Sequence, residues 1–218
     1  MKVDIREVKF GNPNIVHQQL LKQETYLDVL LGEIVKYPPP KVVGDIKDEL
    51  NYLVRCVEAT MNDEAAERRY IAWDQGFVSY FKGKMIQETD DQNKKLIVNT
   101  VEGIIKDTLP LLLKIKYHYN RPRPCQLAVY LDVPLYKYPS LSDDSPSYIS
   151  GHVFQSKIIC EVLGNHYPSS YKLFSQIQGD IAKSRLGLGL HYPSDVEMAE
   201  FAAEKVLKNK EFMMKYRL

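Results

Sequence analysis

The sequence predicts an all-α fold, a single-domain bundle of about seven or more helices, on the helical spacing of its apolar residues. Two further observations agree: strand-like alternation is scarce, and no linker-like stretch is long enough to separate two units. With 218 residues and 44% hydrophobic side chains, the chain suffices for one sizeable core and is short for two, so one domain over 1–218 is expected. The active site is expected at helix ends and on a long loop.

The first segment carries Val16, Leu20, Leu27, Leu30, Leu31 and Ile34, and the second Ile46, Leu50, Leu53, Val54 and Val57. In each, the spacing places these residues along one helix face. Pro38-Pro39-Pro40 punctuates the two, because proline donates no hydrogen bond and disfavours helix in the residue before it. A third helical segment is expected from Asp63 to Phe81, with Trp73 in its core, followed by a polar connector from Gly83 to Asp91. The fourth runs from Gln92 to Tyr117, with Ile97, Val101, Ile104, Ile105 and Leu112 on one face and Pro110 as a candidate kink. Beyond residues 121–149, three more are expected: Val153 to Asn165, Ser169 to Leu188, and Asp195 to near the C-terminus. The exception to helicity is RPRPCQLAVYLDVPLYKYPSLSDDSPSYISGH, which is too long for a passive connection, and such loops tend to carry function.

Composition narrows the function classes. Lys and Arg total 29 against 28 for Asp and Glu, so no charge excess asks for nucleic acid or an acidic membrane surface, and any cationic site must be local. Cys56, Cys125 and Cys160 are too scattered for a disulfide framework or a metal-ligand spacing. The N-terminal stretch MKVDIREVKFGNPNIVHQQ lacks the apolar core of a secretory signal, and no stretch stays uncharged long enough to span a bilayer. A soluble, cytoplasmic protein is the expectation.

Three clusters carry chemistry. Lys116, six residues, then Arg123-Pro124 combine a point charge with a planar fork suited to two oxygens of a tetrahedral anion. Lys114 with Arg121-Pro122 fits the same spacing, and basic residues at a helix C-terminus also serve simply to complement its dipole. Ser150-Gly151-His152 precedes an apolar helical run; serine is a favoured N-cap and glycine lets backbone N–H groups approach an anion, although an ordinary cap followed by a surface histidine reads the same way. In SRLGLGLHYPSD, Arg185, His191 and Asp195 surround a chain break formed by Gly187, Gly189 and Pro193. That break lets Asp195 fold back onto the imidazole and fix its tautomer, as in the triads of serine hydrolases.

Occurring together in one order, the clusters resemble the type 2 phosphatidic acid phosphatase and vanadium haloperoxidase superfamily, whose signature is K-x6-R-P, P-S-G-H, S-R-x5-H-x3-D. The resemblance covers Lys116 to Asp195 and fills every polar position. Within the superfamily, Arg121-Pro122-Arg123-Pro124 and the string PSYISGH are most similar to soluble bacterial class A non-specific acid phosphatases, which favours the Lys116 register. Ile149 departs from the usual proline. Carried onto the matching positions, the resemblance implies that His191 attacks phosphorus through Nε2 to form a phosphohistidine, with Asp195 holding Nδ1–H. His152 would protonate the leaving alkoxide and later accept the proton of the attacking water. Lys116, Arg123, Ser150, Gly151 and Arg185 would bind the non-bridging oxygens.

The expected activity is therefore hydrolysis of a small phosphorylated substrate, a phosphomonoester or diphosphate. No metal or cofactor is expected, since one carboxylate and two histidines among three cations would repel a divalent ion. The alternative is a vanadium-dependent haloperoxidase with vanadate bonded to His191; chain length disfavours it, and in the first reading vanadate is an inhibitor. Relatives are often oligomeric, so a homo-oligomer is compatible with the resemblance. His17, His118 and His166 lie outside the motifs, Tyr117, Tyr119 and Tyr148 are candidate pocket residues, and Asp143 and Asp144 are either lid residues or exposed loop acids.

Overall fold

The computed structural model describes residues 4–76, 78, 79, 83 and 91–218. Among them all regular structure is helical, in a single domain. The elements are α1 Ile15–Leu21, α2 Leu31–Ile34, α3 Val43–Met61, α4 Glu64–Gln75, α5 Asp91–Tyr119, α6 Pro124–Ala128, α7 Gly151–His166, α8 Tyr171–Gly187, α9 Pro193–Leu207 and α10 Lys210–Tyr216, with short 3-10 turns at 28–30, 129–131 and 168–170.

α7 is the central helix. Its apolar residues are not confined to one stripe, and Val153, Phe154, Ile158, Ile159, Val162 and Leu163 are all fully buried, as a helix surrounded on several sides requires. α5, α8 and α9 pack around it, and α3 and α4 pack on the outer side of α8. The main core runs through these contacts, with a smaller cluster of Ile46, Leu50, Leu53, Leu127 and Tyr192 beneath the long loop. No helix among the described residues is long and apolar enough to cross a membrane.

The second segment forms as expected, with Ile46, Leu50, Leu53 and Val57 buried in α3. The first does not form one helix. The Thr25 N–H donates to Asp28 Oδ2 (3.0 Å) and the Lys114 ammonium to the Gln23 carbonyl (2.7 Å), so side chains bind the backbone between α1 and α2 in place of a helical ladder. Val16 is consequently exposed, whereas Leu27 and Ile34 are buried. α4 starts on the Asp63 cap and Trp73 is buried as expected. Phe77, Tyr80 and Phe81 of the expected third segment and residues 84–90 of the expected connector lie outside the described residues. α5 continues through Pro110 and ends at Tyr119.

The stretch after α5 contains a short helix where none was expected: Pro124 stands in the first turn of α6, and the Gln126 side chain accepts the Arg123 N–H (2.7 Å). The expected final helix is two, because Asn209 starts α10 by accepting the Phe212 N–H (3.0 Å).

Candidate active site

Five helix ends converge. Lys116 lies in the last turn of α5, Arg123 is the N-cap of α6, Ser150, Gly151 and His152 open α7, Arg185 lies in the last turn of α8, and His191 and Asp195 flank the start of α9. Lys116, Arg123, Ser150, Arg185, His191 and Asp195 are buried and His152 is half-buried. All eight residues expected at the site are thus assembled in one region.

Local sequence explains the placement. A Cβ on Gly151 would stand 3.0 Å from Leu112 Cδ2, so glycine permits the start of α7 to lie against the end of α5, with Lys116 Cε alongside. Gly189 has a φ of +69°, which few other residues adopt, and turns the chain so that the N–H groups of Leu190 and His191 both donate to the Arg185 carbonyl, at 3.1 and 3.3 Å. Pro193 then opens α9, and Asp195 reaches back to accept the Tyr192 N–H (3.0 Å). One carboxylate therefore both starts the helix and orients the histidine. Ser150 occupies the N-cap position, but its hydroxyl makes no capping bond, and its N–H donates to the Asp195 carbonyl (3.0 Å).

The hydrogen bonds decide the tautomer of His191. Arg123 Nη1 lies 3.0 Å from Nε2, and a guanidinium only donates, so Nε2 carries the lone pair. The proton is on Nδ1, 3.2 Å from Asp195 Oδ2. Burial first, and then the charges of Arg123, Lys116 and Arg185, hold the imidazole well below its usual proton affinity. His152 is lowered as well, by burial, then by Arg185, with Asp74 opposing and His191 and Arg123 adding.

The cations are short of water and, in two cases, of carboxylates. Lys116 donates to the Pro146 carbonyl, and Arg123 to the carbonyls of Ser145 (2.8 Å), Leu190 (3.1 Å) and Ser142 (3.4 Å). Burial and then the Arg123 charge push the Lys116 ammonium well below its usual range, and burial lowers both arginines. Arg185 Nη1 donates to Asp74 Oδ1 (2.8 Å), whereas its Nη2 and the Ser150 hydroxyl are buried without a hydrogen-bond partner among the described residues. Unsatisfied buried donors cost about 1–3 kcal/mol each, a cost that an anion accepting from them would relieve.

Asp74, Glu49 and Arg121 complete the site and were not among the expected site residues. Asp74 accepts from Arg185, from the hydroxyls of Ser140 (2.9 Å) and Ser142 (2.7 Å) and from the Leu141 N–H (3.3 Å), tying the long loop to α4. Burial alone would raise its proton affinity; the Arg185 charge and the two hydroxyls outweigh burial and keep it ionised. Its signal in the sequence is position: it falls on the stripe of Ala66, Tyr70 and Trp73, where a carboxylate needs a partner. Lys114, from the alternative register, pairs with Asp28 (2.6 Å) and takes no part, while Arg121 binds Asp195 Oδ1 (2.6 Å).

The remaining candidates have other partners. His17 Nδ1 meets the Tyr117 hydroxyl (2.9 Å), His166 meets the Tyr216 carbonyl (2.9 Å), and His118 packs edge-on against Tyr119. Tyr148 is buried with its hydroxyl on the Tyr37 carbonyl (2.7 Å), and Tyr119 donates to the Val35 carbonyl. Asp143 pairs with Lys137, and Asp144 accepts from Asn14 (3.3 Å).

Such a cluster should be stabilised by anions. Phosphate or vanadate at about a hundredfold over its Kd is expected to add about 2.7 kcal/mol, a rise in Tm of about 5–10 °C for a chain of this size, and Lys116→Ala should shrink the rise at fixed ligand. A Tm indifferent to both anions would contradict an oxyanion site. No protein-family model matches the chain and no curated protein matches it, so its functional reading rests on the motifs and this geometry.

Proposed function

We propose that the protein is a metal-independent phosphatase, hydrolysing a phosphomonoester or diphosphate through a phosphohistidine on His191. The observation that carries this reading is the state of His191: a buried neutral imidazole with its proton held on Nδ1 by Asp195 and its Nε2 lone pair directed into a group of desolvated cations. A lone pair so placed is a nucleophile, and the cations match the non-bridging oxygens of a phosphoryl group.

The substrate phosphate takes the donors now spent on backbone carbonyls and on Nε2, together with the unpartnered Ser150 hydroxyl and Arg185 Nη2. Its negative charge offsets the cations that depress His152, so proton uptake by His152 accompanies binding. Nε2 then attacks phosphorus in line, the ester P–O bond breaks, and the departing oxygen takes the proton of His152. In the second half, water gives a proton to His152 and attacks phosphorus, the P–N bond breaks, and inorganic phosphate leaves with His191 restored. The three cations that favour phosphate disfavour a divalent ion in the same place.

The test is phosphate release from a chromogenic aryl phosphate with chelator present, and its inhibition by vanadate. Because His191 is held below the usual imidazole value of about 6.5, its nucleophilic form persists at pH values where a free histidine is already protonated. kcat, which reports the substrate complex, should therefore hold through the mildly acidic range and fall on the alkaline side as His152, whose proton affinity the bound phosphate has raised, loses its proton. Bromination of a dye with vanadate, peroxide and bromide, without phosphate release, would replace this reading with the haloperoxidase one.

A further inference from the structure

We propose that Glu49 and Arg121 are positioning residues: together they set how strongly Asp195 supports the imidazole of His191. The inference rests on the phosphohistidine reading and extends it to two residues that do not touch the phosphate.

The geometry is a chain of alternating charge reaching from α3 to the nucleophile. Glu49 Oε1 accepts the Ser194 N–H (2.8 Å) and Oε2 accepts from Arg121 Nη2 (2.8 Å). Arg121 Nη1 donates to Asp195 Oδ1 (2.6 Å) and to the Ser194 hydroxyl (2.8 Å), and its guanidinium lies over the Tyr192 ring, 3.7 Å from the centroid. Asp195 Oδ2 takes the Nδ1–H of His191. Arg121 is 5% exposed and the Glu49 side chain 13%, so neither charge is a solvated surface group.

A guanidinium placed directly on Oδ1 competes with His191 for the electron density of the carboxylate. Unopposed, it would make Asp195 a poorer acceptor and a poorer counter-charge for the cationic ring that forms when Nε2 bonds phosphorus. Glu49, on the far side of the guanidinium, offsets that pull. It also holds the backbone at Ser194, so the same residue fixes the turn that presents Asp195. The other charged or titratable groups facing His191 are Lys116 from α5, Arg123 at the start of α6, His152 from α7 and Arg185 from α8, with Asp74 of α4 behind Arg185. None of them bonds Glu49, so changing Glu49 isolates its effect.

Two readouts test this. In the unliganded protein at neutral pH, the Nδ1–H proton resonance of His191 reports how strongly Asp195 accepts. In turnover, the acid limb of kcat/KM reports the proton affinity of His191. Glu49→Gln keeps shape and, through its oxygen, the Ser194 bond, while its NH2 faces Arg121 Nη2, so the charge and the bond to the guanidinium are lost together. It should move the resonance upfield, shift the acid limb down by about half a pH unit or more, and lower kcat about tenfold with KM within about threefold. Removing the opposing cation as well, in Glu49→Gln/Arg121→Gln, should reverse the direction of both shifts. A merely structural pair would give losses that accumulate, with no reversal. Glu49→Asp, which keeps the charge, serves if the double variant does not fold: its resonance should stay near the wild-type position, and one displaced as far as that of Glu49→Gln would overturn the proposal. A resonance unmoved in folded Glu49→Gln would overturn it too. If the resonances behave as expected and the wild type releases no phosphate, the phosphatase reading fails and the positioning pair stands.

Discussion

On the proposed phosphohistidine reading, His191→Ala is expected to lower kcat by about five orders of magnitude or more and to abolish acid-labile labelling by a phosphorylated substrate, because the attacking lone pair of Nε2 is removed. The remaining cations contact carbonyls, Asp74 and Asp195, and none of those contacts runs through the imidazole except the one from Arg123 Nη1. Phosphate binding should therefore survive the substitution, and the rise of Tm with phosphate is the control that the site is intact. Asp195 Oδ2 loses one donor and keeps the Tyr192 N–H, so the fold should lose only about 1–2 kcal/mol. His152→Ala provides the contrast. With an aryl phosphate, whose leaving group needs little protonation, it should still form the labelled enzyme and accumulate it, since the water that clears the P–N bond has lost its base. Persistent labelling of His191→Ala, or loss of labelling only in His152→Ala, would reverse the two assignments.

The parts of the site legible in the sequence are those whose partners are near in the chain or whose chemistry demands a residue type. His191 and Asp195 are four residues apart, and the glycine and proline between Arg185 and Asp195 announce the turn that joins them. Arg121, Glu49 and Asp74 were not legible as site residues, since their partners lie 66 to 145 positions away and no neighbouring residue announces them. What marks Asp74 and Glu49 is register: each occupies a helix face that otherwise faces the core, beside Tyr70 and Trp73 in one case and Ile46 and Leu53 in the other. The helix interiors followed from apolar periodicity, as in α3 and α7. The breaks after α1 and after Leu207 did not, because the periodic pattern continues across both and single side chains, Asp28 and Asn209, stop the ladder by binding backbone N–H groups.

Asp195→Asn should cost about four orders of magnitude in kcat, through the tautomer of His191 and not through phosphate affinity. The carboxylate accepts on both oxygens, from Arg121 on Oδ1 and from the His191 Nδ1–H and Tyr192 N–H on Oδ2. An amide has a single oxygen and must present its NH2 to one side. Turned toward His191, the NH2 donates to Nδ1 and drives the ring proton to Nε2, where it meets the donor Nη1 of Arg123 and removes the lone pair required for attack. Turned the other way, it faces the Arg121 guanidinium, donor against donor, and leaves that buried charge with Glu49 alone. The first arrangement keeps the larger charge satisfied and is the expected one, with a loss of stability of about 2–4 kcal/mol. Ring nitrogen shifts should accordingly exchange roles, Nε2 becoming the protonated nitrogen, while inorganic phosphate raises Tm nearly as it does in the wild type. Turnover within about tenfold of wild type, with the Nδ1–H tautomer retained, would mean that the carboxylate does not set the state of the imidazole, and the nucleophile would have to be sought at His152.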